Sequence, residues 1–120
     1  MSEIRIVNLM PHTATLRDAY GFDHVIAPSG TIARVSTTPG ALREVEGLPV
    51  PVASATVYGE IEGLPEPQDG TIYVVSALVL GRAVGRTDVF APGTGPQDGA
   101  IRDDAGRIVA VTRLVGAPLS

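Results

Sequence analysis

The chain has no cysteine, no tryptophan and no lysine. Without cysteine the fold has no disulfide staple, and cysteine usage carries no sign of a redox compartment. At 120 residues none is needed, because a chain of this length buries about two-thirds of its unfolded surface in one core. Without lysine, Schiff-base chemistry and the phosphate-loop lysine are excluded. Aromatic residues are only 4%, so the core has to be built from Val, Ile, Leu and Ala. Charged residues are also sparse, at 18% against 44% apolar, which excludes intrinsic disorder: there is enough apolar surface to offset the ordering entropy. No basic segment leads into a long apolar run, so neither a signal peptide nor a membrane-spanning helix is expected, and cytoplasm is the default location for an untargeted chain.

All nine basic side chains are arginines, against 13 acidic residues, and they are scattered singly from Arg5 to Arg113. Binding to nucleic acid in general requires several cations gathered on one face. This distribution argues against it. A guanidinium can still grip a carboxylate or phosphate with two parallel hydrogen bonds.

Fourteen Gly and ten Pro cut the sequence into pieces of a few residues, a spacing that favours strands. The expected fold is α+β and mostly β: a compact single sheet or partly open barrel of short strands, with one short helix near residues 76–84. One domain should span 1–120, with 116–120 a loose tail. Strands are predicted over 4–7, 13–16, 24–27, 31–36 and 55–58, with an irregular stretch over 37–51. The unbroken run Thr71-Ile72-Tyr73-Val74-Val75 has the composition of a central strand buried on both faces. Ser76 is placed to cap the helix. A brief strand at Val89-Phe90 precedes the Gly/Pro-rich loop 92–99, and a hairpin is expected to turn through Asp103-Asp104-Ala105-Gly106 with a bulge at Gly106.

Motif chemistry is thin. His12 and His24 have no partner at metal-ligand spacing, so no metal or other cofactor is expected. The loop Gly93-Thr94-Gly95-Pro96-Gln97-Asp98 fails the dinucleotide fingerprint, because Asp98 stands where its last glycine would be. Ser29 lies outside any nucleophile elbow, and Glu60 and Glu62 read as a solvated edge. No catalytic residue is assigned. Arg86-Thr87-Asp88 places an arginine two residues from a carboxylate, the spacing of an ion pair or turn brace.

From Asn8-Leu9-Met10-Pro11-His12 onward the chain resembles a family of small uncharacterised proteins from tailed bacteriophages, prophages and integrative elements, whose members open Asn-Leu-Thr-Pro-His. The order then continues through Pro28-Ser29-Gly30, Ala33-Arg34, Leu64-Pro65-Glu66-Pro67, Gly70-Thr71-Ile72-Tyr73-Val74-Val75-Ser76, Arg86-Thr87-Asp88 and Arg102-Asp103, covering about residues 8–114. This chain departs from the family at Met10, where threonine is usual. The resemblance implies a phage or mobile-element accessory protein that acts by binding. One expectation is sequestration of a phosphorylated or nucleotide-like small molecule in the infected cell, with Arg34, Arg86 and Arg102 as ligand-binding residues. The alternative is a virion component such as a capsid decoration protein. A homo-oligomer is expected in either case, since an apolar, weakly charged chain tends to leave a patch that wants a partner.

Overall fold

A computed structural model describes residues 4–118. In chain order they form β1 (Arg5–Asn8), a hairpin of β2 (Ala14–Arg17) and β3 (Asp23–Ile26), then β4 (Arg34–Thr38), β5 (Leu42–Arg43), β6 (Val52–Ala53) and β7 (Val57–Glu62). There follow β8 (Thr71–Val74), helix α1 (Ala77–Arg82), β9 (Val89–Pro92), the small hairpin of β10 (Ile101–Arg102) and β11 (Ile108–Ala110), and β12 (Leu114–Gly116). The expected class holds: mostly β with one short helix. Among the described residues the strands are shared between a four-stranded sheet and four two-stranded ribbons, and no barrel closes.

The β-branched run forms the interior of the larger sheet, whose order is β1-β8-β9-β12. β8 lies parallel to both β1 and β9, in the register Val7–Tyr73–Val89, while β12 runs antiparallel to β9. Side chains alternate along a strand, so Tyr73 and Val75 face one layer and Val74 the other. Tyr73 and Val75 pack with Leu9, Ala33, Val79, Leu80 and Val89, beneath α1. Val74 packs with Met10 and Ala14, partly covered by Ile26 from the β2–β3 hairpin. Burial on both faces is what the lack of polar alternation in this strand requires.

Helix α1 begins where Ser76 accepts a hydrogen bond from the Val79 amide at 3.4 Å. It ends at Arg82, two residues short of the expected 84, with the Ala83 amide bonded back to the Leu80 carbonyl and Gly85 at φ +84°. Gly106 has φ +82°, the left-handed position expected at the end of the 103–106 turn.

Within the expected tail 116–120, residues 116–118 make contacts with the rest of the chain. Gly116 closes β12, Ala117 packs against the core, and the Pro118 carbonyl accepts from the Gly85 amide at 2.7 Å. Apolar Leu114 and Val115 give this segment an edge of β9 to complete, and the backbone bonds outweigh the flexibility of Gly116. Leu119 and Ser120 lie outside the described residues.

β4 to β7 form an arm. Its base is held by Val35 and Ile61 against the core and by Arg82, which donates to the carbonyls of Tyr58 and Gly59 at 3.3 and 3.4 Å. Beyond the base, no residue from Ser36 to Tyr58 is buried. The consequence is a radius of gyration of 17.8 Å and a longest extent of 64 Å. A compact chain of this length has a radius of about 14 Å.

Candidate functional site

The three arginines expected to share a ligand occupy separate places. Arg34 is the first residue of β4, exposed, on the rim of an apolar groove beside α1. Arg86 follows α1 and grips Asp88 with two hydrogen bonds, of 2.8 and 2.9 Å, while donating a third of 3.0 Å to the Pro65 carbonyl. Arg102 lies on β10 and donates to the Gly106 carbonyl at 2.8 Å, closing the turn that follows it. Two of the three therefore make hydrogen bonds within the chain. Asp103, next to Arg102 in sequence, pairs instead with Arg107 at 3.3 Å.

The Arg86–Asp88 pair is largely withdrawn from water, with side chains 23% and 15% exposed. Hydrogen bonds from Arg86 hold the Asp88 carboxyl below the usual carboxylate range, opposed by partial burial and reinforced by the charge of Arg86. Because the folded value lies below the unfolded value of about 3.9, this pair contributes fully above that pH and is lost as pH falls through the folded value. The acid limb of a melting-temperature profile should accordingly be shallower in Asp88→Asn than in the parent. It should not be flat, because Asp18 and Asp23 are also held low, through His24 and Arg17 respectively. Profiles that run parallel from pH 7 to about 2 would remove Asp88 from the acid response.

The glycine-rich loop 92–99 is organised around its own carboxylate. Asp98, 8% exposed, accepts from the Gly95 amide at 2.8 Å, and Arg113 stands 3.8 Å away. A loop of free amides could have approached an external anion. Here a side chain of the loop takes one of those amides.

A concavity of about 350 Å³ opens beyond the carboxyl ends of the parallel strands β1, β8 and β9. Met10, Ile108 and Val109 supply apolar wall, and His12, Thr13, Thr15 and Thr94 supply polar groups. Carboxyl ends of parallel strands are a common ligand position. Among the described residues no arginine lines this concavity. Nor do any three described His, Asp or Glu side chains gather as metal ligands.

Aromatic side chains are placed against the usual trend. Of five in the chain, Tyr20 is 86% exposed, Phe22 69% and Tyr58 44%. Tyr20 and Phe22 stand at the tip of the β2–β3 hairpin, where Asp18 accepts both of their amides at 2.9 and 3.0 Å and pairs with His24 at 2.8 Å. The tip is thus a fixed shape. The arm adds exposed Leu42, Leu48, Val50 and Val57. Exposed aromatic and aliphatic side chains on ordered backbone are what protein interfaces use.

The arm is almost silent in the sequence. Its one available signal is five large apolar residues, Leu42, Val45, Leu48, Val50 and Val52, inside a stretch with no helical or strand period. No family model, curated protein or solved structure matches the chain. Among the described residues no helix is long and apolar enough to cross a membrane.

Proposed function

We propose that this protein acts without catalysis, by assembling with copies of itself as a structural component of a phage or mobile-element particle, such as a capsid decoration protein. The observation that carries this reading is the arm, which has no buried residue from Ser36 to Tyr58 and yet presents Leu42, Leu48, Val50 and Val57 to water. The chain exposes 8351 Å². A compact monomer of its mass exposes about 6,100 Å². The excess, about 2,200 Å² per chain, is more than the roughly 800 Å² that each partner contributes to an interface of standard size. The phage setting rests on the resemblance carried by Asn8 to His12 and by Gly70 to Ser76.

The alternative, sequestration of a phosphorylated or nucleotide-like molecule, asks Arg86 and Arg102 to give up the bonds they make within the chain. Leaving Asp88 unpaired would cost more than an exposed phosphate contact returns. Calorimetry against a nucleotide panel tests that alternative directly.

Two measurements test the proposal. Light scattering of the purified chain should give a multiple of the 12.4 kDa protomer mass, and mass spectrometry of purified virions should find the protein in many copies. A monomer at about 100 μM, the weak end of specific association, removes self-assembly. Absence from virions of a protein that does assemble moves its role into the cell.

A further inference from the structure

The tip of the arm and a groove beside its base are two halves of a contact that one chain cannot close on itself. At its base a groove of about 320 Å³ runs between the residues after β1, the start of β4 and the first turn of α1. Its walls are Leu9, Met10, Ala33, Leu78 and Val79, and Arg34 is the only charged residue lining it among those described. Leu78 is half exposed there, and no hydrogen bond or ion pair holds the Arg34 guanidinium among the described residues. At the far end of the arm, the turn joining β5 to β6 is Glu44-Val45-Glu46-Gly47-Leu48-Pro49-Val50-Pro51. Leu48 and Val50 are more than half exposed, Glu44 and Glu46 are exposed, and one arginine, Arg43, precedes them.

We infer that this acidic, apolar tip docks in the Arg34-rimmed groove of a second copy, the two arms lying antiparallel in an isologous dimer. This rests on the self-assembly reading above and names its contact. Three features select a second copy as the occupant. The charges are complementary: Glu44 and Glu46 at the tip meet Arg34, the only charged residue among the described ones lining the groove, whose cross-strand neighbour Glu62 stands on β7 outside that lining. The chain's own tip is kept away, because folding it back would break the β4–β7 pairing of Arg34 with Glu62 and Thr38 with Val57. Finally, a groove at the base and a plug at the tip become mutual partners as soon as two arms align head to tail, so a single two-fold axis satisfies both and closes the assembly. Leu42, Val57 and Tyr58 would then be covered along the length of the pair. Pro49 and Pro51 lessen the entropy lost on docking, since their φ angles are fixed beforehand.

The absence of cysteine makes the test clean. Two single variants, Leu48→Cys at the tip and Leu78→Cys in the groove, are mixed and oxidised mildly; a disulfide can only join different chains. The control pairs Leu48→Cys with Val25→Cys, an exposed position on the β2–β3 hairpin. The 48–78 product should exceed the 48–25 product at least ten-fold, and Arg34→Glu should weaken self-association at least ten-fold with an unchanged circular dichroism spectrum. Equal yields of the two products in a chain that light scattering shows to be oligomeric would overturn the docking while leaving self-assembly standing. A monomeric parent chain would overturn both.

Discussion

Tyr73→Ala should destabilise the protein by about 3–5 kcal/mol, the range found when a large buried aromatic side chain is truncated. Tyr73 is 2% exposed at the centre of the interior strand β8, packed beneath α1 with Leu9, Val79, Leu80 and Val89. Neighbours drawn from a strand, a helix and a loop cannot all move in to fill the space, so most of the cavity would persist. The phenol also makes a polar contact, since its hydroxyl donates to the Glu66 carbonyl at 3.2 Å and ties the 63–70 loop to the sheet. Tyr73→Phe isolates that bond and should cost about 1 kcal/mol. Val74→Ala, on the opposite face, should fall between the two at about 1–3 kcal/mol. Denaturant midpoints measure all three. Since domains are typically stable by about 5–15 kcal/mol, the alanine variant at 73 approaches unfolding. A loss below about 1 kcal/mol would mean that the layer beneath α1 is not a packed core.

Legibility followed burial. β8 was readable because a strand covered on both faces needs an unbroken apolar run, and Thr71 to Val75 supplies one. Helix α1 and the 103–106 turn were readable because Ser76 and Gly106 act locally, in ways that do not depend on the rest of the molecule. The arm was not. A ribbon with no buried face has no reason to alternate polar and apolar residues, and its register is weakly specified. The strand expected over 31–36 is found at Arg34–Thr38, that over 55–58 at Val57–Glu62, and the pairing between them slips at Val35/Thr37. β5 and β6, in part within the stretch 37–51 expected to be irregular, are set by backbone approach instead. A Cβ on Gly40 would overlap the Ser54 carbonyl, whose amide bonds to the Ala41 carbonyl at 3.1 Å.

The arginines were legible as a type and not as partners. Sequence gives Arg86 and Asp88 the same two-residue offset whether they brace the fold or bind a ligand. The geometry adds Pro65, whose carbonyl takes the third hydrogen bond. Together with Tyr73 and Glu66 it forms one structural junction, where the 65–66 carbonyls are held from the sheet and from the loop after α1. Asp98 was hidden for the same reason: its partner is the Gly95 amide, and no side-chain pattern announces a backbone donor.

Asn8 is the sharpest test of that junction logic, since it is a polar side chain only 1% exposed. Its amide nitrogen donates to the carbonyls of His12 at 2.9 Å and Ile26 at 3.0 Å, and its side-chain oxygen accepts from the Met10 amide at 2.9 Å. One side chain thus joins the end of β1, the start of β2 and the end of β3. Asn8→Asp keeps the shape and the acceptor but deletes both donors, and sets a buried carboxylate against two carbonyl oxygens. The expected cost is about 3–5 kcal/mol at pH 7, that of a buried charge without its partner. The direction with pH identifies the cause. Burial and the two carbonyls raise the folded-state pKa of the new carboxyl above its unfolded value, so the folded form binds the proton more tightly and the deficit relative to the parent narrows as pH falls from 7 towards 4. A protonated carboxyl also regains one donor. Paired melts of parent and variant across that range read the narrowing. A deficit that stays constant with pH would assign the loss to packing, and no deficit at all would mean that Asn8 does not hold these three segments together.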